Sequence, residues 1–191
     1  MTNFKLYYFD MNGGAGEPIR LAFRHGNIAF EDVRVKFADW PALKPKAKFG
    51  QMPFLEVDGE VYAQSMAILR YVGRLVGLYP TDPLEALRVD ELLDCFLDVR
   101  GKMSTTYALP EAEKIAIRKK LAEEFIKPRL QCLEDRVGKQ GYAVGNKLSI
   151  ADLVIACDIA GMQSGRLDGI EPTIADAHVN LQKICKNVHK A

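Results

Sequence analysis

The pattern of apolar residues changes at the segment "LYPTDPLE", residues 78–85. Before this segment, short runs of alternating apolar residues are interspersed with short helical patterns, whereas after it only helical patterns remain. Two prolines fall within four residues, and Asp82 and Pro83 suit the N-cap and first position of a following helix. The sequence therefore predicts three parts: an α/β domain over residues 1–78, a linker over 79–84 and an all-helical domain over 85–191.

The first half of the chain has the pattern of a strand, a helix and a strand, followed by a hairpin and a second helix. Residues 4–9 and 30–37 alternate with period two, and a helical pattern that begins at Pro18 lies between them. Such a unit favours parallel strands joined by a right-handed crossover. Further along, Asp58-Gly59 suits the turn of a two-residue hairpin, and residues 65–77 have an apolar helical stripe. The predicted order is βαβ followed by ββα.

The second half is predicted to be entirely helical. Pro128 falls inside one of its helical patterns and predicts a kink there, because proline removes a backbone donor and clashes with the preceding turn. Ser149 and Asp152 have the spacing of a helix capping box. The predicted helical stretches are residues 83–108, 111–138, 150–163 and 174–188.

Composition limits the classes of function. Apolar residues make up 48% and charged residues 27% of the chain, as in typical soluble globular proteins. The formal net charge of +1 gives no electrostatic footprint for nucleic acid or an anionic membrane. No apolar run approaches the ~18 residues needed to span a bilayer, and the start of the chain lacks the pattern of a signal peptide. We therefore expect a cytoplasmic protein.

The four cysteines are widely spaced and form no C-x-x-C motif, and the three histidines are scattered. Three of the cysteines, Cys95, Cys132 and Cys157, stand in apolar, helix-like surroundings. This pattern predicts reduced cysteines in the protein core and no metal site.

Polar residues flank the predicted hairpin at both ends. Gln51 precedes Met52-Pro53, where the proline opens a strand either as a trans residue or through a cis bond in a tight turn. A cis bond would expose the backbone of Met52 to a peptide-like ligand. At the other end, Gln64 and Ser65 lie at the start of a helix, whose N-terminus attracts a carboxylate, although Ser65 could simply cap that helix.

Four further residues could carry chemistry. Tyr8 is second-last in the first strand, where its phenol could donate a hydrogen bond to an anion or pack in the core. Trp40, the only tryptophan, stands with Lys44 in a polar segment, so an indole N–H and an ammonium could meet one anionic ligand. The alternative is that this segment is a solvated loop with one apolar anchor. Asp98 lies in the first long helix, on a face that is either an interface or solvated.

Seven short motifs follow one another in a specific order along the chain. They are Tyr8-Phe9, Glu17-Pro18-Ile19-Arg20, Asp39-Trp40-Pro41, Gln51-Met52-Pro53, Val57-Asp58-Gly59, Gln64-Ser65 and Ser149-Ile150-Ala151-Asp152. This order resembles the glutathione S-transferases, most closely the sigma class, which contains haematopoietic prostaglandin D synthase-like enzymes and the lens S-crystallins. The resemblance covers nearly the whole chain. It implies an α/β thioredoxin-like N-terminal domain with a mixed four-stranded sheet, joined to an all-α C-terminal domain.

The resemblance also implies an activity. A relative of these enzymes would bind glutathione as a thiolate and conjugate it to small hydrophobic electrophiles, with glutathione as co-substrate and no other cofactor. Tyr8 would donate a hydrogen bond to the glutathione sulfur. The enzyme would be a homodimer, in which Asp98 reaches the γ-glutamyl ammonium of glutathione bound to the partner subunit. Met103 and Tyr107 would help to line the electrophile pocket.

The remaining roles follow the length of the tripeptide. The resemblance implies that Met52 pairs its backbone with the cysteinyl part through a cis bond to Pro53. Gln64 and Ser65 would hold the γ-glutamyl end at the helix N-terminus. Three side chains would meet the glycine carboxylate: Trp40, Lys44 and Gln51.

One stretch departs from the family pattern. Relatives usually carry "GRAE" before the first helix, and its arginine helps to stabilise the thiolate, whereas this chain has "GGAGE". Gly14 or Ala15 falls where that arginine would be, so we expect weaker thiolate stabilisation. The alternatives are a non-catalytic crystallin-like or ligand-storing homologue, and an isomerase of prostaglandin H to D. A glutaredoxin-like or omega-type reductase is disfavoured, because Tyr8 and the glycine loop, residues 12–16, replace an N-terminal active-site cysteine.

Overall fold

The computed structural model describes residues 2–190, and these form two compact units. The chain passes from one unit to the other between Pro80 and Thr81, inside the proline-containing segment. Just beyond, the Asp82 carboxylate accepts hydrogen bonds from the backbone N–H groups of Leu84 (3.1 Å) and Glu85 (2.9 Å). It thereby caps the first long helix of the second unit, as its position before Pro83 predicted.

The first unit is a four-stranded mixed sheet with helices, as the resemblance implied. The strand order is β2-β1-β3-β4, with β1 and β2 parallel and the β1–β3 and β3–β4 pairs antiparallel. The strands are β1 (Phe4–Phe9), β2 (Glu31–Val35), β3 (Phe54–Val57) and β4 (Glu60–Ala63), and the helices are α1 (Glu17–His25), α2 (Trp40–Leu43) and α3 (Ser65–Leu75).

The alternation in β1 sends its side chains to two different layers. Phe4 contacts the ring of Phe23 in α1, with centroids 5.3 Å apart, and the ring of Tyr71 in α3 at 6.5 Å. Tyr7 points to the other face, where it stacks on Phe54 of β3 at 4.4 Å. Successive side chains of a strand point to opposite faces, so this one strand supports both apolar layers of the unit.

The hairpin forms where Asp58-Gly59 predicted it. Asp58 has φ of 49° and Gly59 has φ of 90°, the left-handed backbone that a type I′ turn requires at both central positions. The turn fixes the register of β3 on β4, in which Val57 pairs with Glu60 and Phe54 with Ala63. This prediction is confirmed.

The polar segment between β2 and β3 is more ordered than its lysines and prolines suggested. It forms α2 and then a 3₁₀ turn over Lys44–Lys46. Trp40, Leu43 and Ala47 recur at helical spacing and pack against the face of the sheet that carries Tyr7. Trp40 is therefore part of a helix that covers the sheet, which corrects the alternative of a solvated loop.

The second unit is helical. Its helices are α4 (Pro83–Ser104), α5 (Glu111–Leu121), α6 (Lys127–Arg136), α7 (Ile150–Gln163) and α8 (Val179–Val188). The stretch predicted as one helix with a kink at Pro128 is two helices, separated by a π-helical turn over Ala122–Ile126. Pro128 lies in the first turn of α6, where a residue without an N–H is tolerated. The last helix begins at Val179, five residues later than predicted.

The capping box at the start of α7 is confirmed. The Asp152 side chain accepts from the Ser149 N–H at 2.7 Å and from the Ser149 hydroxyl at 2.7 Å. Its other oxygen accepts from the Ala143 N–H at 2.6 Å. Burial raises the pKa of this carboxyl, while the three donors oppose that rise. Asp152 therefore joins the start of α7 to the loop before it and is a structural residue.

Within residues 2–190, none of the four cysteines forms a disulfide. Cys157 and Cys185 are buried and Cys95 is half-buried, but Cys132 is exposed, so its prediction as a core residue was wrong. It lies on the solvent-facing side of α6, a distinction that its apolar sequence neighbours did not reveal. Within residues 2–190, no helix is both long enough and apolar enough to cross a membrane. Nor does any group of three or more histidine, cysteine and acidic residues in this part of the chain have the arrangement of a metal site.

Candidate functional site

The register of the sheet brings most of the predicted site residues to one edge. Tyr7 of β1 pairs with Phe54, the first residue of β3, and Phe54 pairs with Ala63, the last residue of β4. The end of β1, the start of β3 and the end of β4 therefore lie side by side. The predicted residues at these three points are Tyr8, Gln51, Met52, Pro53, Gln64 and Ser65.

Tyr8 is buried, with 8% of its surface exposed, and its hydroxyl accepts a hydrogen bond from the backbone N–H of Ala15 at 3.0 Å. Its ring meets the ring of Phe9 edge-on at 5.8 Å, and the guanidinium carbon of Arg20 lies 5.6 Å from its centroid. A hydroxyl that accepts a hydrogen bond is polarised and becomes a better donor. Ala15 therefore places a donor where the family pattern has an arginine.

The glycines before α1 form a close contact surface for Tyr8. A Cβ atom at Gly14, whose φ is +66°, would lie 2.5 Å from the Tyr8 hydroxyl oxygen. A Cβ atom at Gly16 would lie 2.5 Å from Cδ1 of the same ring. Any side chain at these positions would displace the phenol, so the cluster that departs from the family pattern is fitted to Tyr8.

A buried charge network holds this glycine loop. Arg20 is fully buried in α1 and pairs with Glu17 at 3.0 Å and with Asp32 of β2 at 2.9 Å. It also donates to the backbone carbonyl of Met11 at 3.1 Å, while the Glu17 carboxylate accepts from the N–H of Gly13 at 3.3 Å. In the sequence, Arg20 belongs to the motif Glu17-Pro18-Ile19-Arg20, which indicates no role for it. Its burial depends on β2 and the loop coming together, which no local pattern reveals.

The bond between Met52 and Pro53 is cis, one of the two options that the sequence left open and the one that the resemblance implied. Pro53 is buried, Gln51 is exposed, and the Met52 side chain packs beside the cluster of Tyr7 and Phe54. Met52 and Pro53 are thus held against the sheet, and the exposed Gln51 side chain lies at the same edge.

The start of α3 has the character of an anion site. Helix α3 begins at Ser65, and Gln64 is its N-cap residue, whose side chain makes no capping hydrogen bond. One alternative was that Ser65 caps its own helix, and this is wrong because the N-cap position belongs to Gln64. Gln64 has φ of 73°, an uncommon backbone for a residue with a side chain, at a cost of about 1–3 kcal/mol. A helix start with unpaired N–H groups and partial positive charge attracts a carboxylate.

Trp40 and Lys44 lie on the segment that covers the sheet. The half-buried indole of Trp40 meets the ring of Phe9 edge-on, with centroids 6.1 Å apart. The Cε atom of Lys44 lies 3.2 Å from the place of a Cβ atom at Gly50, so its side chain extends over the residue before Gln51. The Lys44 side chain is exposed, and within residues 2–190 its ammonium forms no ion pair. An exposed cationic side chain therefore lies beside Gly50 and Gln51.

Asp98 belongs to the second unit. It lies in α4 with its side chain 66% exposed, and Arg129 of α6 is 3.9 Å from its carboxylate. Of the two residues predicted for an electrophile pocket, Met103 is buried and Tyr107 is exposed. The first unit alone thus combines a polarised phenol, an uncapped helix start and an exposed ammonium at one edge, which suits an extended anionic peptide.

Comparison with known proteins identifies the family. A family model described as "Glutathione S-transferase, N-terminal domain" matches residues 4–74, and one described as "Glutathione S-transferase, C-terminal domain" matches residues 97–191. Glutathione S-transferase 1 of Ascaris suum is 40% identical over 196 residues, which cover 100% of this chain and 92% of the relative.

Solved structures agree with this family. Prostaglandin synthase D of Nilaparvata lugens superposes with a TM-score of 0.88 at 30% identity, covering 98% of this chain and 92% of the other. The sigma class glutathione S-transferase of Fasciola hepatica gives a TM-score of 0.82 at 25% identity, covering 98% and 90%. With both family models matched and a relative this similar along its full length, the chain belongs to the glutathione S-transferases, enzymes that conjugate glutathione to hydrophobic electrophiles.

Proposed function

We propose that Tyr8 is the catalytic residue and that it donates a hydrogen bond to the sulfur of bound glutathione. The observation that carries this proposal is the hydrogen bond from the Ala15 N–H to the Tyr8 hydroxyl inside the glycine loop. It fixes the phenol and strengthens it as a donor. Each unit by which the thiol pKa falls requires about 1.4 kcal/mol, so one charge-assisted hydrogen bond lowers it by one to two units.

The rest of the tripeptide follows the edge of the sheet. The backbone of Met52, next to Pro53, pairs with the cysteinyl part, and Gln64 and Ser65 hold the γ-glutamyl carboxylate at the start of α3. The exposed ammonium of Lys44 supports a second carboxylate at the opposite end. Three side chains bind that glycine carboxylate: Trp40, Lys44 and Gln51.

We propose that glutathione is the co-substrate and that no other cofactor takes part. The thiolate forms the new C–S bond and the leaving group departs with its electron pair, so the reaction involves no oxidant or reductant. The chain acts as a cytoplasmic homodimer of the sigma class, in which Asp98 reaches glutathione in the partner subunit. Its exposed carboxylate supports that role. The similarity to a sigma class enzyme over most of both chains supports the class.

The missing arginine still matters. A backbone N–H carries less charge than a guanidinium, so we expect the bound thiol to have a pKa nearer neutrality than in relatives with the "GRAE" stretch. Turnover would be lower for the same reason. A crystallin-like homologue without catalysis would show glutathione binding but no contribution of Tyr8 to the rate.

The test is glutathione-dependent conjugation of a chloronitrobenzene by the wild type and by Tyr8→Phe. We expect kcat/KM to fall about 100-fold in Tyr8→Phe, the usual effect of one donor to a developing anion. Tyr62→Phe is the matched control, because Tyr62 is an exposed tyrosine of the same sheet, and its rate should equal that of the wild type. Activity that is absent in the wild type, or equal in all three proteins, would contradict the proposal.

One specific alternative has support from a comparison. Prostaglandin synthase D of Nilaparvata lugens is a solved structure to which this chain is similar, so isomerisation of prostaglandin H to D is a second candidate. The same thiolate would serve that reaction. Product analysis with prostaglandin H and glutathione decides the matter, and the same yield with and without the protein would exclude it.

A further inference from the structure

The segment between β2 and β3 carries Trp40, Lys44 and Gln51, yet its backbone is tied mostly to itself. The Asp39 N–H bonds the carbonyl of Lys36, and the Leu43 N–H bonds that of Asp39. Further along, the N–H of Ala47 bonds the carbonyl of Lys44, and that of Gly50 bonds that of Ala47. These local bonds shape the segment but do not place it on the sheet, which is left to its side chains.

Part of that placement is apolar. Ala47 is buried and packs with Tyr7 and Phe54, while Trp40 and Leu43 cover the same cluster from outside. Apolar packing favours burial but is not directional, so it sets the position of the segment less strictly than a hydrogen bond does. Among the described residues, Lys48 of the segment lies 3.8 Å from Glu60 of β4, and one further lysine makes a polar contact that crosses to two strands of the sheet.

That contact is made by Lys46. Its ammonium lies 2.6 Å from the Glu56 carboxylate of β3 and donates to the Tyr7 hydroxyl of β1 at 2.9 Å. The Tyr7 hydroxyl in turn donates to Glu56 at 3.3 Å, which closes a triangle of three side chains. The Lys46 ammonium also lies 4.5 Å from the centroid of the Tyr7 ring. We call these three residues the Lys46 clasp.

The clasp lies at the margin of the sheet. Tyr7 is buried and the Glu56 side chain is 15% exposed, whereas the Lys46 side chain is 41% exposed. The hydrogen bond from Lys46 lowers the pKa of Glu56, and the bond to Glu56 raises the pKa of Lys46, so both stay charged near neutral pH. A pair with one partner this shielded is screened less by salt than an exposed pair.

We propose that Lys46, together with Glu56 and Tyr7, is a positioning residue that holds the segment bearing Trp40 and Lys44 in place for the glycine carboxylate of glutathione. This inference rests on the proposed function for the identity of the ligand. Lys46 acts through the segment, since its ammonium is directed to Glu56 and Tyr7 on the sheet. Lys44, two residues earlier, is the lysine whose side chain extends over Gly50, next to Gln51.

The test compares Lys46→Met with Lys48→Met. Lys48 lies two residues further along and carries the same charge. Its ammonium lies 3.8 Å from the exposed Glu60 carboxylate and 5.8 Å from the centroid of the exposed Tyr62 ring, so it controls for the loss of a cation with exposed partners. We expect Lys46→Met to raise KM for glutathione about three- to tenfold with kcat within about twofold, because the ligand must then order the segment itself. Lys48→Met should leave both constants within about 1.5-fold.

A second readout does not depend on glutathione. Trp40 is the only tryptophan, so its fluorescence reports on the segment in the ligand-free protein. Acrylamide should quench Trp40 more strongly in Lys46→Met than in the wild type or Lys48→Met. Tyr7→Phe keeps the ring in the core and removes only the hydroxyl, and it should show a smaller change of the same sign. Lys46→Arg should restore both readouts.

The outcomes separate this inference from the proposed function. Suppose that the wild type shows no conjugation, or that Tyr8→Phe conjugates as fast as the wild type, while Lys46→Met still exposes Trp40 to acrylamide. The proposed function is then wrong, but the clasp holds the segment. Quenching and KM equal to those of Lys48→Met would overturn the clasp. A fall in kcat at unchanged KM would also overturn it, because Lys46 would then act on the reacting atoms.

Discussion

The two ends of the proposed glutathione site are held by different means. At the thiol end, Tyr8 is enclosed by a glycine loop, and that loop is secured by the buried charges of Arg20, Glu17 and Asp32. At the carboxylate end, the segment with Trp40 and Lys44 rests on an apolar cluster and on the Lys46 clasp at the margin of the sheet. A fully buried arginine therefore secures the thiol end of the proposed site, whereas a partly exposed lysine secures the end that only binds.

This difference matters because the two tasks have different tolerances. A catalytic donor displaced by 1 Å loses most of its effect on the transition state, while a displaced binding group can be drawn back at some cost in affinity. Damage to the thiol end should lower kcat or stability. Damage to the carboxylate end should raise KM.

The largest expected effect is on stability at the thiol end. Arg20→Met leaves Glu17 and Asp32 without their buried partner and should lower the free energy of unfolding by about 3–5 kcal/mol. Arg34→Met is the matched control, because Arg34 also pairs with Asp32, at 2.9 Å, but is 29% exposed. It should cost about 1 kcal/mol or less. Urea unfolding of both variants measures the difference, and equal losses would show that the thiol end is not held by buried charge.

The next effect is on catalysis. Gly14→Ala places a methyl group 2.5 Å from the present position of the Tyr8 hydroxyl oxygen and should lower kcat about 10- to 100-fold. The control is Gly59→Ala, where φ is +90° but nothing lies within 4 Å of the added atom.

Both glycine variants force a left-handed backbone on alanine, which costs about 1–2 kcal/mol of stability in each. Only Gly14→Ala should lose kcat. Steady-state kinetics together with thermal unfolding separates the two effects, and full activity in Gly14→Ala would show that the glycine loop does not position Tyr8.

The smallest expected change is at the carboxylate end, where Lys46→Met should raise KM for glutathione about three- to tenfold.

Much of the framework follows from local sequence. Asp58-Gly59 determines the hairpin through its backbone preference, and Ser149 with Asp152 caps α7 because both partners are only three residues apart. Once the hairpin and β1 are in register, Tyr8 and Gln64 must lie at the same edge. These are short-range rules, and a single sequence contains them.

What could not be predicted depends on contacts between distant residues. The fit of Gly14 to Tyr8 and the burial of Arg20 against Asp32 exist only after the strands have assembled. In the segment between β2 and β3, the prolines and lysines of the sequence obscured the apolar spacing of Trp40 and Leu43. The adjacent Tyr7 and Tyr8 look equivalent in sequence, but the alternation of β1 sends one to the clasp and the other to the glycine loop.

The central claim is that Tyr8, fixed by the glycine loop and the Ala15 N–H, stabilises the thiolate of glutathione. The most direct test is a pH titration of the thiolate absorbance of bound glutathione in the wild type and in Tyr8→Phe. We predict a pKa of about 6.5–7.5 in the wild type, below the ~8.5 of a free thiol, and a rise of about one to two units in Tyr8→Phe. The same pKa in both proteins would contradict the account.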